Sequence, residues 1–155
     1  MPFDVRRALA SYDERALTLC SVGSHSALEV ASGARAQGIR NLIVTERGRN
    51  RTYDEFYARR EDGPPRGCVD ATLEVSRFAD LLDDDVQERL RRANAVFVPN
   101  RSFEVYLHQR YTYAEIEERM SVPFFGNRRL LRAEERDEAE NQYALMARAG
   151  IRFPR

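Results

Sequence analysis

The stretch that most limits how this chain can fold is Leu17–Gln37, LTLCSVGSHSALEVASGARAQ. Leu17 to Val22 is an apolar run of strand length, partly β-branched, and it stops at Gly23. Gly23-Ser24-His25-Ser26 reads as a tight polar turn. From Ala27 the spacing turns helical, with Leu28, Ala31, Ala34 and Gln37 on one face. Gly38 is placed as a helix C-cap, and Asn41–Thr45 follows as a second buried-type strand. Strand, helix and strand in so short a span is a βαβ unit, which implies an α/β chain built on a parallel sheet. A strand that enters a helix through a Gly/Ser turn leaves backbone N–H groups unpaired at the helix start, where anions such as phosphate bind. His25 adds a titratable ring at the same spot. The turn is therefore expected to be half of a nucleotide-binding site.

The rest of the chain continues the alternation. Asp4 is placed to cap a short amphipathic helix through about Ser11, with Val5, Ala8 and Leu9 inward. Glu46–Arg60 mixes Arg47, Arg49 and Arg51 with Tyr53, Phe56 and Tyr57, and two readings stay open. One is a solvated helix that packs Phe56 on the core; the other brings one of those arginines to a ligand phosphate. Gly63–Gly67 is a loop before a third strand, Cys68–Val75. Phe78 to Leu82 makes a short turn, and Asp83-Asp84-Asp85 opens a helix with Val86 and Leu90 inward. As a metal site the three aspartates are poor, because consecutive helical residues do not face one ion.

Ala95–Pro99 reads as a fully buried fourth strand that ends in Asn100-Arg101-Ser102 before a helix at Glu104–His108. This is a second strand-to-turn-to-helix junction. In an open α/β sheet ligands gather at the carboxyl ends of the strands near the topological switch point. The two turns, Gly23–Ser26 and Asn100–Ser102, are thus expected to face one crevice. Val122–Phe125 is expected to be a short fifth strand. Leu130–Glu135 and Glu138–Ala149 read as helix, the latter with Tyr143, Leu145 and Met146 buried.

Composition removes several function classes. The 155 residues suit one domain, and the formal net charge of zero gives no electrostatic case for nucleic acid or a membrane surface. All 25 basic residues are arginine, so lysine chemistry is excluded and any phosphate clamp must use Arg, backbone N–H or hydroxyls. Two isolated cysteines, Cys20 and Cys68, lack metal-site spacing and read as small buried hydrophobes. No apolar run reaches membrane-spanning length and MPFDVRRAL has no signal-peptide core, so a cytoplasmic location is expected.

Three ordered pieces resemble the N-terminal region of the archaeal formate-dependent FAICAR synthetase family, also called PurP. They are Ser21–Leu28 (SVGSHSAL), Val98–Tyr106 (VPNRSFEVY) and Val122–Glu135 (VPFFGNRRLLRAEE), and the terminal AGIRFPR is similar to the family's lead-in to its next domain. The resemblance spans nearly the whole chain. It implies a Rossmann-like, pre-ATP-grasp three-layer domain with a mostly parallel sheet over residues 1–150. Residues 151–155 would then begin a linker to an ATP-grasp domain that the chain lacks.

Enzymes of that family join formate to the amino group of the purine intermediate AICAR, consuming ATP with Mg2+. By position, His25 and Ser102 match family residues that contact AICAR. The substrate-binding set expected here is Gly23, Ser24, His25, Ser26, Arg101 and Ser102, with no metal ligand. The chain alone is expected to bind no cofactor, ATP and Mg2+ being implied for the complete enzyme. Its partners are expected to be an AICAR-like nucleotide and an ATP-grasp domain or subunit in cis or trans; a homo-oligomer is left open. Asn100-Arg101 stands where much of the family has His-Gly, which points to a paralogous branch. A standalone, non-catalytic nucleotide-binding or regulatory module is the alternative reading.

Overall fold

Apolar runs too short to be helices alternate with helical spacings, and brief connections bring those runs side by side in one direction. The computed structural model describes residues 4–64, 66–101, 103–128, 133 and 135–154. In chain order the elements are α1 (Val5–Leu9), β1 (Thr18–Val22), α2 (Ala27–Ala36), β2 (Arg40–Glu46), a π-type turn (Thr52–Phe56) and β3 (Ala71–Val75). A 3-10 turn (Phe78–Leu82), α3 (Asp84–Arg92), β4 (Ala95–Phe97), α4 (Phe103–His108), α5 (Tyr113–Arg119) and α6 (Gln142–Arg148) follow. The four strands form a sheet in the order β3-β2-β1-β4, with every pair parallel. The α/β class and the parallel sheet expected from the βαβ pattern are present. Among the described residues no helix is long and apolar enough to cross a membrane.

Helices flank this sheet. α2 buries Ala27, Ala31 and Ala34 and packs on β1 and β2, where Ala27 and Ala31 form a cluster with Ile43, Tyr53 and Val69. Gln37, expected on that face, is exposed. The helix ends as Gly38 predicts: Gly38 has φ +69, its N–H donates to Arg35 O, and Ile39 N–H donates to Ala34 O at 2.9 Å. Strand alternation turns Cys20, Val22 and Val44 to the other side. The 3-10 turn and α3 supply Phe78, Leu81, Leu82, Val86 and Leu90, all buried. Burying each leucine fully contributes about 1.5–3 kcal/mol, so this layer holds much of the stability.

Buried polar side chains fix the registers. Asn41 donates to Asp70 Oδ2 through its backbone N–H and its Nδ2, both at 2.9 Å, and Asp70 N–H returns a bond to Asn41 Oδ1. This pair sets Leu42 opposite Ala71. Gln87 on α3 donates to Leu81 O at 2.8 Å and accepts from Ser121 N–H, Ser121 Oγ and Val122 N–H.

Several sequence expectations are corrected. Asp4 caps α1, accepting from Arg6 and Arg7 N–H, but Val5 and Leu9 are 47% and 40% exposed, because five residues give too little length to close an apolar face. The helix expected over Glu46–Arg60 is one π-type turn, closed by Tyr57 N–H to Thr52 O; it buries Tyr53 and leaves Phe56 69% exposed. β3 starts at Ala71 rather than Cys68, with Val69 bridged to Ala58. β4 is an edge strand with Val96 half-buried, not fully buried. The expected fifth strand is a single parallel bridge, Phe97 to Phe124. The helix α5, with a Thr112/Glu115 capping box, was not anticipated.

The chain divides into two compact units, Met1–Phe125 and Gly126–Arg155. In the second, Asn141 caps α6 and Tyr143 packs on Phe153 at 5.3 Å between ring centroids. Tyr143, Leu145 and Met146 are half-buried rather than buried. Residues 130–132 and 134 of the helix expected at Leu130–Glu135 lie outside the described residues.

Candidate functional site

With every strand parallel, all four carboxyl ends lie on one edge of the sheet. The chain steps from β1 outward to β2 and β3, then returns to the far side of β1 as β4, so the switch point lies between β1 and β4. The loops that meet there are the two singled out in the sequence.

The turn after β1 is tied to β2 and closed on itself by backbone hydrogen bonds. Gly23 N–H donates to Val44 O at 2.7 Å, Ser24 N–H to Val22 O at 2.8 Å, and Ala27 N–H to Ser24 O at 3.0 Å. Gly23 has no room for a side chain: a Cβ there would stand 2.8 Å from Tyr53 Cε2 and 3.2 Å from Ile43 Cγ2. The glycine thus serves the seating of the Tyr53 ring, and the burial of that ring raises its phenol pKa. Ser26 sits at φ 53, ψ 2, a left-handed conformation that costs a non-glycine residue about 1–2 kcal/mol. His25 and Ser26 are exposed and Ser24 is half-buried.

The segment after β4 grips this turn twice. Asn100 Nδ2 donates to Val22 O at 2.8 Å and to His25 O at 2.9 Å, across the switch point. Its Oδ1 is buried and has no hydrogen-bond partner. From α4, the Tyr106 hydroxyl lies 3.0 Å from Ser24 Oγ. Arg101 is exposed, and Ser102 lies outside the described residues. The structure therefore brings together the Gly23–Ser26 turn, Asn100 and Tyr106.

Tyr106 also belongs to a cleft of about 630 Å3 at the ends of β2 and β3, lined by Glu46, Ser76, Arg77, Phe78, Asp80 and Tyr106 among others. Its ring packs on Phe78 at 4.6 Å. The Arg49 guanidinium lies over both rings, 5.5 Å from the Phe78 centroid and 5.9 Å from that of Tyr106. Glu46 accepts the Phe78 N–H at 3.0 Å and stands 3.9 Å from Arg49. The Tyr106 phenol pKa is lowered, chiefly by its bond with Ser24 and then by Arg49, against the opposing effect of burial.

The site offers hydroxyls, an imidazole, a planar cation and aromatic faces, which suit recognition of a polar, anionic ligand. Cys20 is fully buried and its thiol is pushed well above the ordinary range, so it is no nucleophile. Among the described residues no group of three or more His, Cys, Asp or Glu gathers to hold a metal ion. Sequence reasoning quoted Tyr106 only within a motif and missed Phe78 and the role of Asn100. Nothing local distinguishes those residues, because each acts through a partner distant in the chain.

Comparison with known proteins covers the same region. Residues 19–155 match the family described as a protein of unknown function, DUF1246. A 5-formaminoimidazole-4-carboxamide-1-(beta)-D-ribofuranosyl 5'-monophosphate synthetase from Methanopyrus kandleri is 38% identical over 152 residues, 98% of this chain and 38% of the relative. The protein of the same name from Methanothermobacter thermautotrophicus is 35% identical over 146 residues, 94% of this chain and 36% of that protein. The crystal structure of an IMP biosynthesis protein PurP from Thermococcus kodakaraensis superposes with a TM-score of 0.59 at 27% identity, covering 86% of this chain and 36% of that one. The chain thus spans a little over a third of the length of the relatives it matches. Because the match begins within β1 and takes in the turn, the switch point and the segment that grips it, the chain belongs to the DUF1246 family and is a relative of the PurP-type synthetases.

Proposed function

We propose that this chain is the substrate-binding domain of a formate-dependent, ATP-using ligase of purine (IMP) biosynthesis, and that its ligand is an AICAR-like purine nucleotide. What carries this reading is the double grip on the Gly23–Ser26 turn by Asn100 and Tyr106. The two segments so joined, SVGSHSAL and VPNRSFEVY, are the ones that resemble the synthetases. In this reading Gly23, Ser24, His25 and Ser26 meet the ligand from the turn after β1 and Arg101 from the segment after β4, with Ser102 added as a ligand contact on the resemblance alone. His25 supplies a ring for the base or carboxamide, while hydroxyls and the helix start receive polar and anionic groups.

ATP and Mg2+ are assigned to an ATP-grasp domain or subunit acting in cis or trans. The chain by itself then binds substrate without completing the reaction.

Calorimetry on the isolated chain tests this. AICAR is expected to bind without ATP hydrolysis, and His25→Ala to weaken binding about tenfold or more, as for loss of one directed hydrogen bond to a buried polar group. Absence of binding by AICAR and other purine monophosphates would remove the reading. Unchanged affinity in His25→Ala would take His25 out of the site.

A further inference from the structure

Three arginines follow β2, and their side chains have different fates. Arg47 pairs with Glu74 at 3.4 Å, and Arg51 is held by Glu55, with Nε within 3.2 Å of both carboxylate oxygens. Arg49 instead makes a looser 3.9 Å approach to Glu46 and lies over the faces of two aromatic rings. The backbone aims it there. Glu46-Arg47-Gly48-Arg49 is a tight turn, closed by Arg49 N–H to Glu46 O at 2.8 Å and pinned to β3 by Arg47 N–H to Val75 O at 2.9 Å. Gly48 has φ +83, a conformation that a side chain would strain.

We infer that Arg49 is the phosphate-binding cation of the site, presented on the Phe78–Tyr106 platform and linked through Tyr106 to Ser24. The assignment rests on the nucleotide reading above. A guanidinium has five N–H donors in a fixed plane, and stacking occupies its faces while leaving the donor edge available. A half-exposed ion pair at 3.9 Å is weak and yields readily to a dianion that accepts two parallel bonds. The aromatic platform holds the side chain before the ligand arrives, which lowers the ordering cost. Tyr106 lies under the Arg49 guanidinium and its hydroxyl is 3.0 Å from Ser24 Oγ, so cation and turn lie on one path. With no lysine in the chain, an arginine must fill this role if a side-chain cation does.

The test measures affinities of three probes, AICAR as its 5'-monophosphate, the matching nucleoside and ribose 5-phosphate, for wild type, Arg49→Met, Arg49→Lys and Arg51→Met. Arg49→Met is expected to lose on the order of 10- to 100-fold for both phosphorylated probes, with the nucleoside unchanged. Arg49→Lys is expected to recover part of that loss, since lysine restores the charge but not the fork. Arg51→Met is expected to match wild type. Wild-type affinity of Arg49→Met for the phosphorylated probes, an equal loss for the nucleoside, or an equal loss in Arg51→Met would overturn the assignment. Arg49-dependent binding of ribose 5-phosphate with no gain from the base would keep the assignment and sink the purine reading. No binding of any probe by wild type would end both.

Discussion

Tyr106 stands where three chemistries meet: a serine hydroxyl at 3.0 Å, an arginine over its face, and a phenylalanine ring at 4.6 Å. Its lowered pKa has a direct consequence. On an alkaline titration followed by phenolate absorbance, Tyr106 is expected to ionise before the other described tyrosines with shifted values, and Tyr106→Phe to remove that earliest step. The neighbours push the opposite way. Burial raises Tyr12 to about 12 and also raises Tyr53 and Tyr111 above the ordinary phenol range. A phenol with a raised folded pKa contributes stability that is complete below the unfolded value and is lost as pH climbs through the folded one. Tyr12 therefore supports the fold up to about pH 10 and ceases to by about pH 12. Tyr106 has the opposite sign, contributing above the unfolded value and not below its lowered one. An absorbance curve in which Tyr106→Phe leaves the first phenolate step intact would contradict the placement of its hydroxyl.

At the scale of elements, connections between distant parts of the chain matter more than propensity. Gln87 shows this: in a helix of charged residues it reads as surface, yet it is 1% exposed and holds Ser121, Val122 and Leu81. Gln87→Leu keeps the volume but strands two backbone N–H groups and a carbonyl, so a loss of roughly 2–4 kcal/mol is expected in urea unfolding. A change within 0.5 kcal/mol would mean that the 121–122 segment is held otherwise. The same distinction decides what could be read from the sequence. Gly23 and Gly38 punctuate the chain locally, and with the apolar runs they define β1, α2 and β2 almost to the residue. The Phe56 placement failed because the turn at Thr52–Phe56 bonds five residues apart, changing the angular step that a helical period assumes. Both site turns were visible as strand-to-helix junctions. Asn100, whose partners lie 75 and 78 positions away, and Phe78, which serves only once Tyr106 packs on it, were not.

For the whole molecule, the governing fact is a sheet of four parallel strands whose edges end differently. Beside β4, Phe97 N–H donates to Pro123 O at 2.8 Å and Phe97 O accepts from Phe125 N–H at 2.7 Å, so that margin is already taken. Beyond β3 no further strand lies among the described residues, and its five positions carry the exposed Glu74 paired with Arg47. Unpaired strand margins recruit other chains unless charge or brevity prevents it. Glu74→Val is expected to leave the melting temperature within a few degrees but to raise light scattering in concentrated solution, and an unchanged colloid would show that length alone suffices. On that expectation, the Glu74 carboxylate is what keeps the β3 margin from pairing with other chains. That margin lies two strands from the switch point, so a change at Glu74 is free to alter crowding while leaving the β1–β4 junction untouched.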